Sequence, residues 1–211
     1  CAARWDGEDV VVDGPPRTST LPGETAGQMR ASILFCAPLL ARLGRAETQL
    51  PGGCKIGARP IDLHLAGLRQ MGAVEWETVP GKLVLTAPSG LHGAEITLHF
   101  PSVGATETLL LAAVCAKGKT VLRGAAREPE IVDLARFLNR CGAAIEGAGT
   151  STLCIEGRPG LSGFALCAGV GNSGTNGMPG RAQRRGGANF PVRAAVRGRP
   201  GVHGGLSGAG H

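Results

Sequence analysis

Met29-Arg30-Ala31-Ser32-Ile33-Leu34-Phe35, running on to Ala41-Arg42-Leu43-Gly44, has a counterpart in Val103-Gly104-Ala105-Thr106-Glu107-Thr108-Leu109, which runs on to Cys115-Ala116-Lys117-Gly118. The two stretches lie 74 positions apart. Each predicts a largely apolar helix stopped by a glycine, the residue that most readily adopts the left-handed turn at a helix end. Each then leads into a short strand, Glu47-Thr48-Gln49-Leu50 in one copy and Thr120-Val121-Leu122 in the other. A second helix follows, over about 61–71 and about 131–141, and closes on Gly72-Ala73 or Gly142-Ala143. Two more short strands complete the unit, 74–77 with 83–86 in the first copy and 144–146 with 152–155 in the second.

At Gly72 and Gly142 the offset has fallen to 70, so the first copy carries four extra residues. They fall between Leu50 and Arg59, in the loop Leu50-Pro51-Gly52-Gly53-Cys54-Lys55-Ile56-Gly57-Ala58-Arg59. Loops absorb insertions at low cost and often carry function. This one sets a thiol among glycines, with Lys55 adjacent and Arg59 five positions on, and nearby cations favour thiolate over thiol. Taken by itself, Cys54 is equally a surface thiol in a loop or a reactive group. A third, partial copy opens the chain: Cys1-Ala2-Ala3-Arg4-Trp5 with Val10-Val11-Val12 corresponds to Gly72-Ala73-Val74-Glu75-Trp76 with Leu83-Val84-Leu85. The expectation is a closing hairpin whose preceding elements are missing from a truncated N-terminus.

The 211 residues divide into a body, 1–157, and a tail, 158–211. The body is nearly neutral, with 15 Lys+Arg against 16 Asp+Glu, while the tail holds seven Arg and no acidic residue, so the net charge of +6 originates in the tail. Nucleic-acid binding is a fair first thought for a basic chain, but the tail shows no recognisable module and only Phe164 and Phe190 as aromatics, so RNA is a weak reading. The tail's glycine-rich text has neither helical nor strand period and resembles disordered sequence, or a GC-rich gene read out of frame. An intact reading frame at the locus would remove the second possibility. The longest apolar runs, 33–41 and 109–116, fall short of the ~20 residues a membrane span needs, and no membrane role is expected. Seven irregularly spaced cysteines without a CxxC pair or a secretory signal point to reduced thiols and a cytoplasmic setting. Cys36 and Cys115 lie in the apolar runs and read as core. His64, His92 and His99 do not cluster with thiols or acids in sequence, so neither a metal site nor a cofactor is expected.

Four motifs bring the body into a family. Gln28-Met29-Arg30-Ala31-Ser32, the run from Leu50-Pro51-Gly52-Gly53-Cys54 through Arg59-Pro60-Ile61-Asp62-Leu63-His64, Pro101-Ser102-Val103-Gly104-Ala105-Thr106, and Ala126-Arg127-Glu128-Pro129-Glu130-Ile131-Val132-Asp133 follow in order. Together they resemble the UDP-N-acetylglucosamine 1-carboxyvinyltransferases, which are enolpyruvyl transferases. The resemblance covers about residues 9–157. It implies an α/β fold, an inside-out α/β barrel of βαβαββ repeats with helices inside and sheets outside. Here the fold would be incomplete and followed by a Gly/Arg-rich irregular tail. It implies transfer of enolpyruvate from phosphoenolpyruvate to the sugar 3-hydroxyl with release of phosphate, at the start of peptidoglycan synthesis.

The resemblance also assigns roles. Cys54 matches the family's catalytic cysteine, the group alkylated by fosfomycin. Arg30 and Arg59 match arginines that meet the substrates' anionic groups. Pro60, Ile61, Asp62 and Leu63 match the segment that holds the uridine. Ser102, Val103 and Gly104 match a diphosphate contact. Each has a plainer alternative: a solvated loop charge for Arg59, a wet helix start for Arg30, an acidic first turn for Asp62 and an ordinary N-cap for Ser102. Phe100 departs from relatives that carry lysine there, while Glu128 and Glu130 read as structural. The family's Lys-Asn pair and the aspartate and arginines of its second domain have no counterpart here, so the chain alone is expected not to turn over. Two other readings are a non-catalytic remnant that at most binds a uridine nucleotide sugar, and the sister transferase of the shikimate pathway, against which the Cys54 loop argues.

Overall fold

The computed structural model describes residues 2–6, 9–50, 61–76, 81–158, 161 and 196–197. They belong to two units, one made of Cys1–Pro15 with Gly163–His211 and the other of Pro16–Ser162. In the first unit, β1 (Ala2–Asp6) and β2 (Asp9–Asp13) form the expected antiparallel hairpin. A two-residue strand of the basic tail, Val196–Arg197, pairs antiparallel with β2 at Val10 and Asp9, a pairing that no periodicity announces.

The second unit contains both full repeats. The stretch 29–43, expected as one buried helix, is divided instead. After α1 (Gly23–Gln28), a 3-10 helix covers Arg30–Phe35 and α2 covers Cys36–Leu43. Pro38 supplies the reason. It has no N–H to give the carbonyl four residues back, and its ring would press on that carbonyl, so a continuous α-helix through Leu34 is disfavoured and the tighter form takes its place. The segment is also not buried on every side: Met29 is 44%, Phe35 50% and Leu43 42% exposed. In the second copy no proline intervenes, and α4 (Val103–Ala113) is one continuous helix. The Ser102 hydroxyl caps it by accepting from the Ala105 N–H at 3.3 Å.

The strands repeat with residue-level fidelity. In the first copy β3 (Arg45–Gln49) pairs antiparallel with β5 (Lys82–Thr86), which also pairs with β4 (Val74–Trp76). In the second, β7 (Gly118–Arg123) pairs with β9 (Thr152–Gly157), which pairs with β8 (Ala144–Glu146). Arg45 faces Thr86, and Lys119 faces Glu156; Val74 faces Thr86, and Ala144 faces Glu156. The registers thus coincide once the offsets of 74 and 70 are applied. The second sheet adds β6 (Glu95–Thr97), parallel to β7 and not foreseen from sequence; in the first copy its place is taken by a single parallel bridge, Thr20 to Glu47.

The second helices, α3 (Asp62–Gln70) and α5 (Pro129–Arg140), end alike. The N–H of Ala73 bonds to Leu68 O and that of Gly72 to Arg69 O; Ala143 and Gly142 bond in the same way to Leu138 and Asn139. Gly72 and Gly142 have φ of 94° and 99°, the left-handed turn this closure requires. Beyond it the copies diverge. Asn139 binds both the N–H and the C=O of Ile145 at 2.9 Å, whereas Arg69, at the equivalent position, pairs with the Glu75 side chain.

Helix α4 lies amid the others, against the 3-10 segment, α2, α3 and α5. Ala105, Thr106, Thr108, Leu109, Leu110, Ala112 and Ala113 are all buried, so this helix is enclosed on most of its sides. The buried faces of the sheets, carried by Ala46, Leu83, Leu85, Leu122, Leu153 and Ile155, close over the helices. Each such leucine or isoleucine contributes about 1.5–3 kcal/mol by leaving water.

Candidate active site

Arg30, Asp62 and Ser102 each stand at the start of a helical segment: Arg30 opens the 3-10 helix, Asp62 opens α3, and Ser102 caps α4. The first turns of α3 and α4 meet. His64, two residues into α3, is 2% exposed and its Nδ1 lies 2.8 Å from the Thr108 hydroxyl of α4. Gly104 sits against the same ring; a methyl on it would come within 3.2 Å of His64 Cε1. One turn along, Gly67 gives way to Leu109, where a side chain on the glycine would meet Leu109 Cδ1 at 2.6 Å. Two helices therefore approach through glycines, and their exposed ends lie together.

The electrostatics agree. Burial first, and then the Arg30 guanidinium, push the His64 pKa down to about 4, with Asp62 pulling the other way. Arg30 and Asp62 thus both act on one imidazole, although they are 32 positions apart in sequence. Asp62 is exposed, while Arg30, Ile61, Leu63, Ser102, Val103 and Gly104 are half-buried, leaving polar and main-chain groups accessible at a helix start. Unpaired N–H groups and the helix dipole favour anions there.

The fourth motif joins the same place. Thr106 Oγ1 donates to Ser102 O at 2.8 Å and accepts from the Ala126 N–H at 3.0 Å, tying the turn before α5 to the start of α4. Glu128 precedes α5, and Glu130 in its first turn acts on the half-buried Glu107, whose pKa is raised first by burial and then by that neighbouring charge. Phe100, just before the Ser102 cap, is 61% exposed. Cys54, Arg59 and Pro60 lie outside the described residues. Of the other thiols, Cys36 is buried and pushed up to about 12, and burial also raises Cys115 and Cys141.

His64, Thr106 and Thr108 were absent from the sequence-based site. The available signal was the pair of hydroxyls at 106 and 108 inside a helix otherwise made of Gly, Ala, Val, Leu and one Glu, since buried hydroxyls demand partners. His64 gave no comparable sign, because its partner is 44 residues away. Among the described residues, no three His, Cys, Asp or Glu side chains gather as metal ligands, and no helix is long and apolar enough to cross a membrane.

The comparisons with known proteins point one way. The sequence model of the EPSP synthase (3-phosphoshikimate 1-carboxyvinyltransferase) family matches residues 2–168. The chain is 55% identical over 153 residues to the UDP-N-acetylglucosamine 1-carboxyvinyltransferase of Finegoldia magna, covering 72% of this chain and 36% of that protein. It is 52% identical over 163 residues to the enzyme of the same name from Nitratidesulfovibrio vulgaris strain DP4, covering 77% and 39%. Among solved structures, the enolpyruvyl transferase NikO from Streptomyces tendae superposes with a TM-score of 0.60 at 26% identity, covering 74% of this chain and 37% of that one. EPSP synthase from Acinetobacter baumannii follows with a TM-score of 0.52 at 25% identity, covering 65% and 31%. The chain thus spans little more than a third of the length of the curated relatives it matches. Repeat, register and family match converge, and the chain belongs to the EPSP synthase (3-phosphoshikimate 1-carboxyvinyltransferase) family, with the α/β fold of the enolpyruvyl transferases.

Proposed function

We propose that this chain carries part of a site for enolpyruvyl transfer from phosphoenolpyruvate to the 3-hydroxyl of UDP-N-acetylglucosamine, a cytoplasmic step of peptidoglycan synthesis. The observation that carries the reading is the meeting of the α3 and α4 starts beside Arg30, which brings three of the four motifs to one place. The names of the relatives support UDP-N-acetylglucosamine as the acceptor.

In this reading Ile61, Asp62 and Leu63, with Pro60, hold the uridine. Ser102, Val103 and Gly104 present main-chain N–H groups to the diphosphate. Arg30 and Arg59 offer guanidinium forks to phosphate and carboxylate. Cys54 is the proton donor. The sugar 3-hydroxyl gives its proton to a carboxylate base, the part the family's second domain would supply, as its oxygen bonds to the central carbon of phosphoenolpyruvate and the methylene carbon takes the Cys54 proton, giving a tetrahedral ketal. A methyl proton then returns to the Cys54 thiolate and the double bond re-forms as the C–O bond to phosphate breaks, the phosphate leaving with the proton the base had taken. A thiol suits the first step, because its ordinary pKa of ~8.5 can be moved toward neutrality by nearby cations, where acid catalysis is most effective.

The share of the relatives' length favours a second reading, in which this chain alone binds the nucleotide sugar without turning over. Titration with UDP-N-acetylglucosamine, followed by the fluorescence of Trp5 and Trp76, is expected to saturate. Phosphate release is expected to match that of Cys54→Ala. Silence at millimolar nucleotide sugar would remove the binding reading, and release well above the control would remove the second. Thiol labelling adds an independent check: Cys54 is expected to react at least about tenfold faster than the buried Cys36, and equal rates would argue against an activated thiol.

A further inference from the structure

His64 is the one buried imidazole among the described residues, and the roles set out above do not employ it. Its surroundings are specific. On one side Nδ1 meets the Thr108 hydroxyl at 2.8 Å, between two residues that are 2% and 0% exposed. On the other, Cε1 and Nε2 lie 3.2 and 3.4 Å from where a Gly104 methyl would stand, so the ring is seated on the backbone at the start of α4. Along the chain, His64 directly follows Asp62-Leu63, the proposed uridine segment, and Gly104 ends the proposed diphosphate segment. The ring therefore stands between two segments proposed above to hold neighbouring parts of one ligand.

We propose that His64 is a positioning residue for the nucleotide sugar: the imidazole, pinned by Thr108 and seated on Gly104, sets the distance between the Ile61-Asp62-Leu63 and Ser102-Val103-Gly104 segments. This rests on the reading of those segments given under Proposed function. A shared ligand tolerates little error in spacing, since contacts made at one end cannot be completed at the other. Thr108 acts through His64 and touches no substrate.

The test uses two substitutions whose effects on stability and on binding should diverge. Thr108→Val keeps the buried volume but leaves Nδ1 without its partner. Thr108→Ser keeps the hydroxyl but removes a buried methyl. UDP-N-acetylglucosamine affinity is measured on the full 211-residue chain at neutral pH, beside a thermal melt of each variant. The expected result is that Thr108→Val loses roughly tenfold in affinity, as for one well-placed hydrogen bond, while Thr108→Ser stays within about twofold of the unsubstituted chain even if it melts earlier. A purely structural role would make affinity follow the melting temperature in both. Unchanged affinity in Thr108→Val, or equal losses in the two variants, overturns the proposal and leaves the site reading standing. No binding by the unsubstituted chain overturns both, and is told apart because the reference itself is then silent. If Thr108→Val loses its cooperative melt, His64→Asn replaces it, keeping a polar atom near the Nδ1 position without the ring edge against Gly104. Full affinity in that variant overturns the proposal, and weakened affinity with an intact melt supports it.

Discussion

A neutral imidazole at the junction of two helices makes stability depend on pH in a definite direction. His64 is buried, and desolvation together with the Arg30 guanidinium holds its pKa near 4, below the ordinary 6.5. In the unfolded chain the ring takes up its proton around 6.5, while in the folded chain it does so only near 4. The unfolded state therefore binds more protons between those values, and stability falls as pH drops through that window. The contribution is fully present above about pH 6.5 and fully lost below about pH 4, and it amounts to something on the order of 3 kcal/mol. Carboxylates also titrate toward acid, so the informative quantity is a difference. Urea midpoints of the unsubstituted chain and of His64→Gln, compared from pH 7 to pH 4, are expected to converge as pH falls. Parallel curves across that range would show that His64 does not titrate as its burial requires.

At the scale of elements, the approach of α3 to α4 depends on space more than on propensity. Gly67 lies in mid-helix, where alanine would ordinarily gain about 1 kcal/mol. Here the added methyl would meet Leu109, which is 1% exposed and has little room to yield. Overpacking of this kind costs about 1–3 kcal/mol, so Gly67→Ala is expected to lower stability by up to roughly 2 kcal/mol once the propensity gain is subtracted. Chemical denaturation checks the sign, and a stabilised Gly67→Ala chain would mean that the helices can separate without loss. The legibility of these elements followed the same physics. Gly72-Ala73 and Gly142-Ala143 were readable because left-handed closures need glycine, and from them the offset of 70 followed. The division at Phe35 was written in Pro38 but masked by the apolar run around it. Strand β6 was missed because the repeat offers it no partner copy: the first copy has only the bridge from Thr20 to Glu47 in its place. The site was legible as separate motifs, whereas the junction that draws three of them together rests on Thr108, Gly104 and His64, whose contacts span 40 or more positions and leave no local pattern.

For the molecule as a whole, the question is which residues make up the folding unit. The described hydrophobic core runs from Ile33 to Ile155, with Leu21 and Leu161 packed at its margins, and every member lies within Pro16–Ser162. That unit holds two copies of the repeat, with α4 of the second copy packed on the helices of both. A single repeat could not bury its helices, because α4 would lose α2 and α3, so the two copies are expected to fold as one cooperative unit. The β1–β2 hairpin belongs to the other unit, and a lone pair of strands has little stability of its own. A fragment comprising residues 16–162 is therefore expected to melt in a single transition within about 4 °C of the full chain, the shift that ~1 kcal/mol produces in a domain of this size. The complementary cut, a fragment ending at residue 90, removes α4 and should show no cooperative transition at all. Calorimetry of both fragments decides the matter. A cooperative melt in the shorter one would assign stability to the single repeat, and a much lower melting temperature in the longer one would show that residues outside Pro16–Ser162 share in its core.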